Sequence, residues 1–97
     1  MWGMKPYRNL KMASLIQREL GEMLPREFNF DGALVTIVDV VVGDKMEEAF
    51  VKLSILPLHR GPEMFRIIDS RKRELQGKLL RKMNIKPMPK LVFKIAE

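Results

Sequence analysis

A run of β-branched and aliphatic residues in the first half of the chain constrains the fold most strongly. Residues 34–42 read Leu-Val-Thr-Ile-Val-Asp-Val-Val-Val, which is too short for a capped helix and rich in the residues that strands favour. Gly43 and Asp44 supply turn chemistry, and residues 49–56 form a second strand-like segment. The pattern predicts a β-hairpin of two strands, Leu34–Val42 and Ala49–Leu56, the second of which Pro57 is expected to end.

Amphipathic segments flank this hairpin on both sides. Before it, apolar residues recur every three or four positions, which predicts a first helix that begins near Pro6 or Tyr7 and that Pro25 stops. The apolar stripe of this helix is expected to comprise Leu10, Ala13, Ile16, Leu20 and Leu24.

After the hairpin, a second helical region is expected to begin near Pro62 or Glu63 and to end at Asn84. Met64, Ile68, Leu75 and Leu79 share one face of it, but Lys72 interrupts that face. In one straight helix the Lys72 ammonium would point toward the core, where an unpaired charge is costly. Either the long lysine stem reaches outward to water, or the helix kinks around Arg71–Arg73, and spacing alone leaves both readings open.

Residues 90–95 predict a third strand, with Leu91, Phe93 and Ile95 on one face. Amphipathic helices must bury their apolar stripes, and a sheet offers the surface for this. The order helix, strand, strand, broken helix, strand therefore predicts an α+β fold, a three-stranded sheet with helices on one face. At 97 residues the chain is expected to form a single domain over 1–97, with residues 1–6 as a loose leader.

The residue inventory gives little support for catalysis. There is no cysteine, His59 is the one histidine, and the glycines Gly43, Gly61 and Gly77 are isolated. A zinc centre is therefore disfavoured, and we expect neither a catalytic residue, nor a metal, nor a cofactor. No apolar run approaches the length of a membrane span, and no signal peptide is recognisable, so a cytoplasmic protein without a membrane partner is expected.

Positive charge is concentrated in the second half of the chain. The net charge is +6, and residues 66–90 contain nine cationic against two acidic side chains. On a helix, Arg66, Arg73 and Arg81 fall within one outer sector, with Gly77 between them. Such a cluster favours RNA or another polyanion as the partner, although a solvated charged face remains the simpler alternative.

Two phrases of the sequence together resemble one family. The first is Val-Thr-x-x-x-Val over residues 35–40, then a polar turn, then Ala-x-Val-x-x-Ser over residues 49–54; the second is Pro-x-Leu-x-Phe over residues 89–93. In this combination, and with the amphipathic first helix, the chain resembles ribosome-binding factor A from about Arg8 to its end. The resemblance implies a type II KH-like domain, in which an Ala-x-Gly kink replaces the usual GxxG loop.

Counted back from Pro89, the family's kink falls on Arg71-Lys72-Arg73, where neither the alanine nor the glycine is present. A shifted register would place it on Leu75-Gln76-Gly77 and retain the glycine. The arginine that the family carries in the following helix aligns with Gln76, and Arg73 or Arg81 can take its place.

By resemblance, the chain is expected to be a ribosome assembly factor without catalytic activity. It would bind the small (30S) ribosomal subunit and its 16S rRNA and assist late rRNA maturation and processing. It would also contribute to cold adaptation. We further expect it to act as a monomer, with a ribosome-maturation GTPase as a further partner. The expected RNA contacts are Arg8, Lys11, Arg66, Arg71, Lys72, Arg73, Lys78, Arg81 and Lys82. Two alternatives remain open: a generic KH-like module for RNA or DNA, and a protein-interaction module that uses a strand edge.

Overall fold

The computed structural model describes residues 7–85 and 88–96, so the leader expected over residues 1–6 lies outside the described residues. Three α-helices and three strands follow one another in the predicted α+β order. Their bounds are α1 (Tyr7–Glu27), β1 (Leu34–Val42), β2 (Glu48–Leu56), a 3₁₀ turn (Leu58–Arg60), α2 (Gly61–Ser70), α3 (Lys72–Met83) and β3 (Lys90–Ile95).

The sheet has the order β1-β2-β3, with β2 in the centre. β1 pairs antiparallel to β2, with Val42 opposite Ala49, and the register shifts between Ile37 and Asp39. β3 pairs parallel to β2, with Lys90 opposite Glu48. Because parallel neighbours require a crossover, α2 and α3 form the connection that carries the chain from β2 to β3.

One face of the sheet is buried together with the apolar faces of the helices. On β2 and β3, alternate residues are inaccessible, as period-two side-chain geometry requires. They form one cluster with the helix residues Ile16, Leu20, Met64, Ile68, Leu75 and Leu79. The hairpin, the third strand and the shared face of the second helical region are therefore confirmed.

The buried stripe of α1 differs from the prediction. Leu10 is 52% exposed, whereas Asn9 is only 2% exposed. The Asn9 side-chain amide donates to the backbone oxygens of Gly43 at 2.7 Å and of Val42 at 3.4 Å, where β1 ends. Because this contact turns Asn9 inward, the stripe is Asn9, Met12, Ile16, Leu20, Met23 and Leu24.

The prediction that Pro25 stops the first helix is also wrong, since α1 continues through it to Glu27. A proline removes one backbone donor and crowds the carbonyl four residues earlier, which here belongs to Gly21. Both residues are exposed, so water can satisfy that carbonyl. The two added residues matter because they bring Glu27 to the start of α3.

The second helical region begins at Gly61 and ends as predicted at Asn84. Asn84 adopts the left-handed conformation, with φ of 52°, and its N–H donates to the Leu80 oxygen at 2.8 Å. None of the helices among the described residues has the length and apolar character needed to cross a membrane.

The contact between Asn9 and the end of β1 predicts a stability defect. We expect Asn9→Ala to lower the free energy of unfolding by about 1–3 kcal/mol, because two backbone oxygens at a buried position lose their donor. Urea denaturation measures this. Ser14→Ala, an exposed change on the same helix, should stay within about 0.5 kcal/mol of the parent protein. Equal stability of the two variants would show that Asn9 does not stabilise the hairpin end.

Candidate nucleic-acid interface

The break between α2 and α3 lies at one residue, Arg71. α2 ends at Ser70, α3 begins at Lys72, and Arg71 between them has φ of −107° and ψ of 19°. Its N–H donates to the Ile68 oxygen at 3.1 Å. The change of direction lets α2 and α3 both bury their apolar residues, while Lys72 stays at the surface with its ammonium 3.8 Å from Asp69. Of the two readings, the structure therefore contains the kink around Arg71–Arg73, and not a straight helix from which the lysine stem reaches outward to water.

The alternative kink register over Leu75-Gln76-Gly77 is wrong, because α3 runs without interruption through these residues. Leu75 and Leu79 are both fully buried, which only a continuous helix achieves at this spacing. Gly77 is half-buried, and a Cβ built on it would find its nearest neighbour, the Arg81 guanidinium, 3.9 Å away. Gly77 is thus a gap on the helix surface and not a bend.

The Arg71 side chain joins the helix break to the end of α1. Its guanidinium donates to the Glu27 backbone oxygen at 2.7 Å and to the Glu27 carboxylate at 2.9 Å. It also binds the Glu74 carboxylate, with one nitrogen–oxygen distance of 3.0 Å, and lies 4.6 Å from the centre of the Phe28 ring. Arg71 is therefore engaged by two carboxylates and a backbone oxygen of the protein itself.

Lys78 completes this group of charges, which we call the kink network (Glu27, Arg71, Glu74 and Lys78). Its ammonium lies 2.7 Å from Glu27 and 3.4 Å from Glu74. The hydrogen bond from Lys78 and then that from Arg71 hold the pKa of the Glu27 carboxyl below its ordinary value of 4.5. Arg71 first, and then Lys78, lower the pKa of Glu74 in the same way. Glu27 in turn raises the pKa of Lys78, and Glu74 raises that of Arg71.

A groove of about 1000 Å³ lies between α3 and β3. We call it the α3–β3 groove, and it is lined by Glu48, Lys72, Arg73, Gln76, Gly77, Leu80, Met88, Lys90, Leu91 and Val92. Gln76 spans its floor, because its side-chain oxygen accepts the Leu91 N–H at 3.1 Å. Lys72 and Arg73 stand on the helix side and Lys90 on the strand side, so cations border the groove on both sides.

The nine cations predicted to contact RNA fall into two groups. Four have acidic neighbours: Arg71 and Lys78 in the kink network, Lys72 near Asp69, and Lys82 3.3 Å from Glu19. Five are exposed and have no carboxylate within 4 Å among the described residues: Arg8, Lys11, Arg66, Arg73 and Arg81.

These five exposed cations do not lie together. Arg73 borders the α3–β3 groove, and Arg81 lies beside Gly77, which lines it. Arg66 is on α2, before the helix break. Arg8 and Lys11 instead lie near the start of α1, where Arg8 approaches the Met46 sulfur of the hairpin turn at 3.7 Å.

Sequence reasoning did not select Lys90 and Gln76, which belong to the groove. Lys90 opens β3, and its place opposite Glu48 depends on the parallel pairing of two distant strands. From sequence alone Gln76 is a polar residue of a helix, and its contact with Leu91 follows only from the position of β3 beside α3. Among the described residues no aromatic side chain lines the groove, so these residues offer charge and shape to a nucleic acid and no stacking platform. Within residues 7–85 and 88–96, no cluster of three His, Cys, Asp or Glu side chains could hold a metal ion.

In the comparison with protein families, the family model described as ribosome-binding factor A matches residues 8–97. Curated relatives described as ribosome-binding factor A include the Akkermansia muciniphila protein, 27% identical over 88 residues, which are 91% of this chain and 70% of that protein. The Opitutus terrae protein is 29% identical over 87 residues, 89% of this chain and 71% of that protein.

Solved structures share the fold. A Thermotoga maritima protein whose NMR structure is described under ribosome binding factor A matches with a TM-score of 0.73 and 27% identity, over 95% of this chain and 91% of that one. A Thermus thermophilus ribosome binding factor A, fitted into the cryo-EM map of a 30S complex, matches with a TM-score of 0.74 and 19% identity. This match covers 84% of this chain and 88% of that one. The prediction of an α+β, type II KH-like fold is confirmed.

Two neighbouring arginines should differ in their effect on stability. We expect Arg71→Ala to lower the urea midpoint of unfolding, because Glu27 and Glu74 lose a shared partner and the helix break loses its contact with α1. Arg73→Ala removes the same side chain two residues later, where it is exposed and unpaired among the described residues, and should leave the midpoint unchanged. A common midpoint for both variants would contradict the structural role assigned to Arg71.

The lowered pKa of Glu27 predicts an acid-dependent contribution to stability. Since its pKa in the folded protein lies below the ordinary value of 4.5, the stabilisation is present above that pH and is lost as the pH falls through the folded value. Glu27→Gln should therefore destabilise the protein most near neutral pH, and the difference should shrink in acid. Urea unfolding between about pH 7 and about pH 3 measures this, with Glu22→Gln as the control on an exposed position of α1. A difference that grows in acid would contradict the assignment.

Proposed function

Because the chain belongs to the ribosome-binding factor A family, we propose that it binds the small (30S) ribosomal subunit through its 16S rRNA and assists late rRNA maturation and processing. The observation that carries this proposal is the match of the family model to residues 8–97. The fit of the Thermus thermophilus neighbour into a 30S map concerns that protein, and it gives the proposal its structural precedent.

The surface proposed to contact rRNA is the α3–β3 groove and its cationic borders. Arg73, Arg81 and Lys90 are exposed and have no acidic partner within 4 Å among the described residues, so a phosphate need not displace a carboxylate to reach them. Phosphate contacts of this kind supply affinity and fix orientation, but they carry no sequence information. Selectivity would come from the shape of folded rRNA, which the rigid break at Arg71 is suited to match.

We propose that Arg66, on α2, and Lys72, at the start of α3, also contact the RNA. The pairing of Lys72 with Asp69 is weak and exposed. Arg71, Lys78 and Lys82 are proposed to orient the surface through their ion pairs and not to touch RNA. Glu48, which lines the groove on the side of the sheet, would repel a phosphate at that point and so direct the RNA strand toward α3.

The remaining parts of the proposal concern how the protein works. We propose that it acts without catalysis, as a monomer in the cytoplasm, and that a ribosome-maturation GTPase takes part in the same process. Binding energy from many phosphate contacts is sufficient for such a role, since a factor that stabilises one rRNA conformation shifts the folding equilibrium by its differential affinity alone.

Co-sedimentation with purified 30S subunits, 50S subunits and free RNA across a salt series tests the proposal. We expect retention on 30S subunits that weakens with salt. Arg73→Gln and Arg81→Gln should each weaken it and reduce the magnitude of the salt slope by about 1, and the double variant should bind about tenfold less. Lys52→Gln, an exposed lysine on the open face of the sheet, is the matched control with the same change of charge.

Other outcomes would select the alternatives. Equal retention on 30S, 50S and unrelated RNA would support a generic RNA-binding module. Retention that the groove variants leave unchanged would remove the α3–β3 groove from the interface. No retention at any salt concentration would overturn the proposed function.

A further inference from the structure

A second cavity, of about 360 Å³, lies at the start of α1 and shares no lining residue with the α3–β3 groove. We call it the α1–turn pocket. Its lining comes from α1, from the turn between β1 and β2, and from the residue after Asn84: Arg8, Lys11, Met12, Leu15, Lys45, Met46 and Ile85. The four α1 residues are spaced at i, i+3, i+4 and i+7, so they form one stripe of the helix surface.

The pocket has an apolar floor and a cationic rim. Met12, Leu15, Met46 and Ile85 supply the floor, with Met12 buried and the other three half-buried. The rim cations, Arg8, Lys11 and Lys45, are exposed, and no carboxylate lies within 4 Å of them among the described residues. Asp44 and Glu47 belong to the same turn but do not line the pocket.

Met46 brings the turn between β1 and β2 into this floor. It has φ of 57°, a conformation in which glycine or asparagine would be less strained, and yet the position carries a long apolar side chain. Its N–H donates to the Gly43 oxygen at 2.9 Å, and the Arg8 guanidinium lies 3.7 Å from its sulfur. The thioethers of Met12 and Met46 can adapt to ligands of differing shape.

We propose that the α1–turn pocket docks an acidic segment of a protein partner, with one large apolar side chain on the methionine floor and flanking carboxylates on Arg8, Lys11 and Lys45. Charge complementarity requires an anionic ligand, and the floor decides its class. The floor of methionine, leucine and isoleucine has no partner for the several hydrogen-bonding groups of a nucleobase and no aromatic face on which the base could stack. An aliphatic or aromatic side chain has no such groups.

This assignment gives Arg8 and Lys11 a protein ligand in place of the RNA contact expected from sequence. The pocket and the α3–β3 groove share no lining residue, but a third cavity of about 320 Å³ adjoins both. It takes Lys45 and Met46 from the pocket, and Glu48, Met88 and Lys90 from the groove. The inference is independent of the proposed function, since it depends on the pocket alone.

Selection of random short peptides on the immobilised full chain tests the inference. Enriched peptides should combine one large apolar residue with two or more carboxylates, and their binding should weaken with salt. Lys11→Glu should reduce the affinity about tenfold, the effect of losing one well-placed contact. Arg18→Glu makes the same charge change two turns along the same exposed face of α1, outside the pocket, and should have no comparable effect.

Methyl NMR of the methionines locates the bound peptide. The Met12 and Met46 signals should move on titration, while Met64, buried between α2 and the sheet, should not. The inference is overturned if no peptide is enriched, if enriched peptides lack carboxylates, or if Lys11→Glu and Arg18→Glu act alike. A single-stranded RNA that moves the Met12 and Met46 signals and displaces the peptides would also overturn it, in favour of a nucleic-acid site. The selection uses neither RNA nor ribosomal subunits, so its failure leaves the proposed function standing.

Discussion

The hydrogen-bonded ion pair between Arg71 and Glu27 is the contact on which the arrangement of this domain depends. It joins the break between α2 and α3 to the end of α1, with the Phe28 ring beneath the guanidinium. A straight helix could not bury Ile68, Leu75 and Leu79 while keeping Lys72 at the surface. The break resolves this conflict, and Arg71 stabilises it by donating to one backbone oxygen and two carboxylates. In the family's usual Ala-x-Gly pattern, small residues make the corresponding bend.

Positive charges that are adjacent in sequence have different physical roles. Arg71 and Lys78 are held by Glu27 and Glu74, and each pairing shifts the pKa values of both partners in the direction that favours the charged forms. Arg73 and Arg81, on the same helix, have no carboxylate within 4 Å among the described residues. An engaged cation contributes to the fold, whereas an unpaired one keeps its field available to an anionic partner. Net charge alone does not distinguish the two roles.

Gln76 links α3 to the third strand. β3 is an edge strand, and the Leu91 N–H points away from β2, where it would be open to another chain. The Gln76 side chain accepts that N–H, so this donor of the edge is satisfied, and the same contact joins the two sides of the α3–β3 groove. At the end of β1, Asn9 holds the start of α1 against that strand, next to the residues that line the α1–turn pocket.

Local sequence determined the elements of this protein. β-branched runs, turn residues and helical spacing were sufficient for the hairpin, the broken helix and the third strand, because these signals act between neighbours in the chain. Hydrophobic spacing misplaced the α1 stripe at Leu10, because Asn9 is buried by a contact with Gly43, a residue 34 positions away. Local sequence also predicted that α1 ends at Pro25, although α1 continues to Glu27. Local sequence cannot show that the Gly21 carbonyl, which loses its donor at the proline, is open to water.

The sequence predicted that the candidate site is cationic, but it did not predict which residues form the site. The sequence showed a cationic second half of the chain, and the resemblance placed the bend within Arg71–Arg73. Only the tertiary structure decided that Arg71 and Lys78 face Glu27 and that Lys82 faces Glu19. It also decided that Lys90 and Gln76 complete a groove. The reason is physical: whether a charge is paired depends on which acidic side chain the fold brings within about 4 Å, and the partners Glu19 and Glu27 come from a helix far away in the chain.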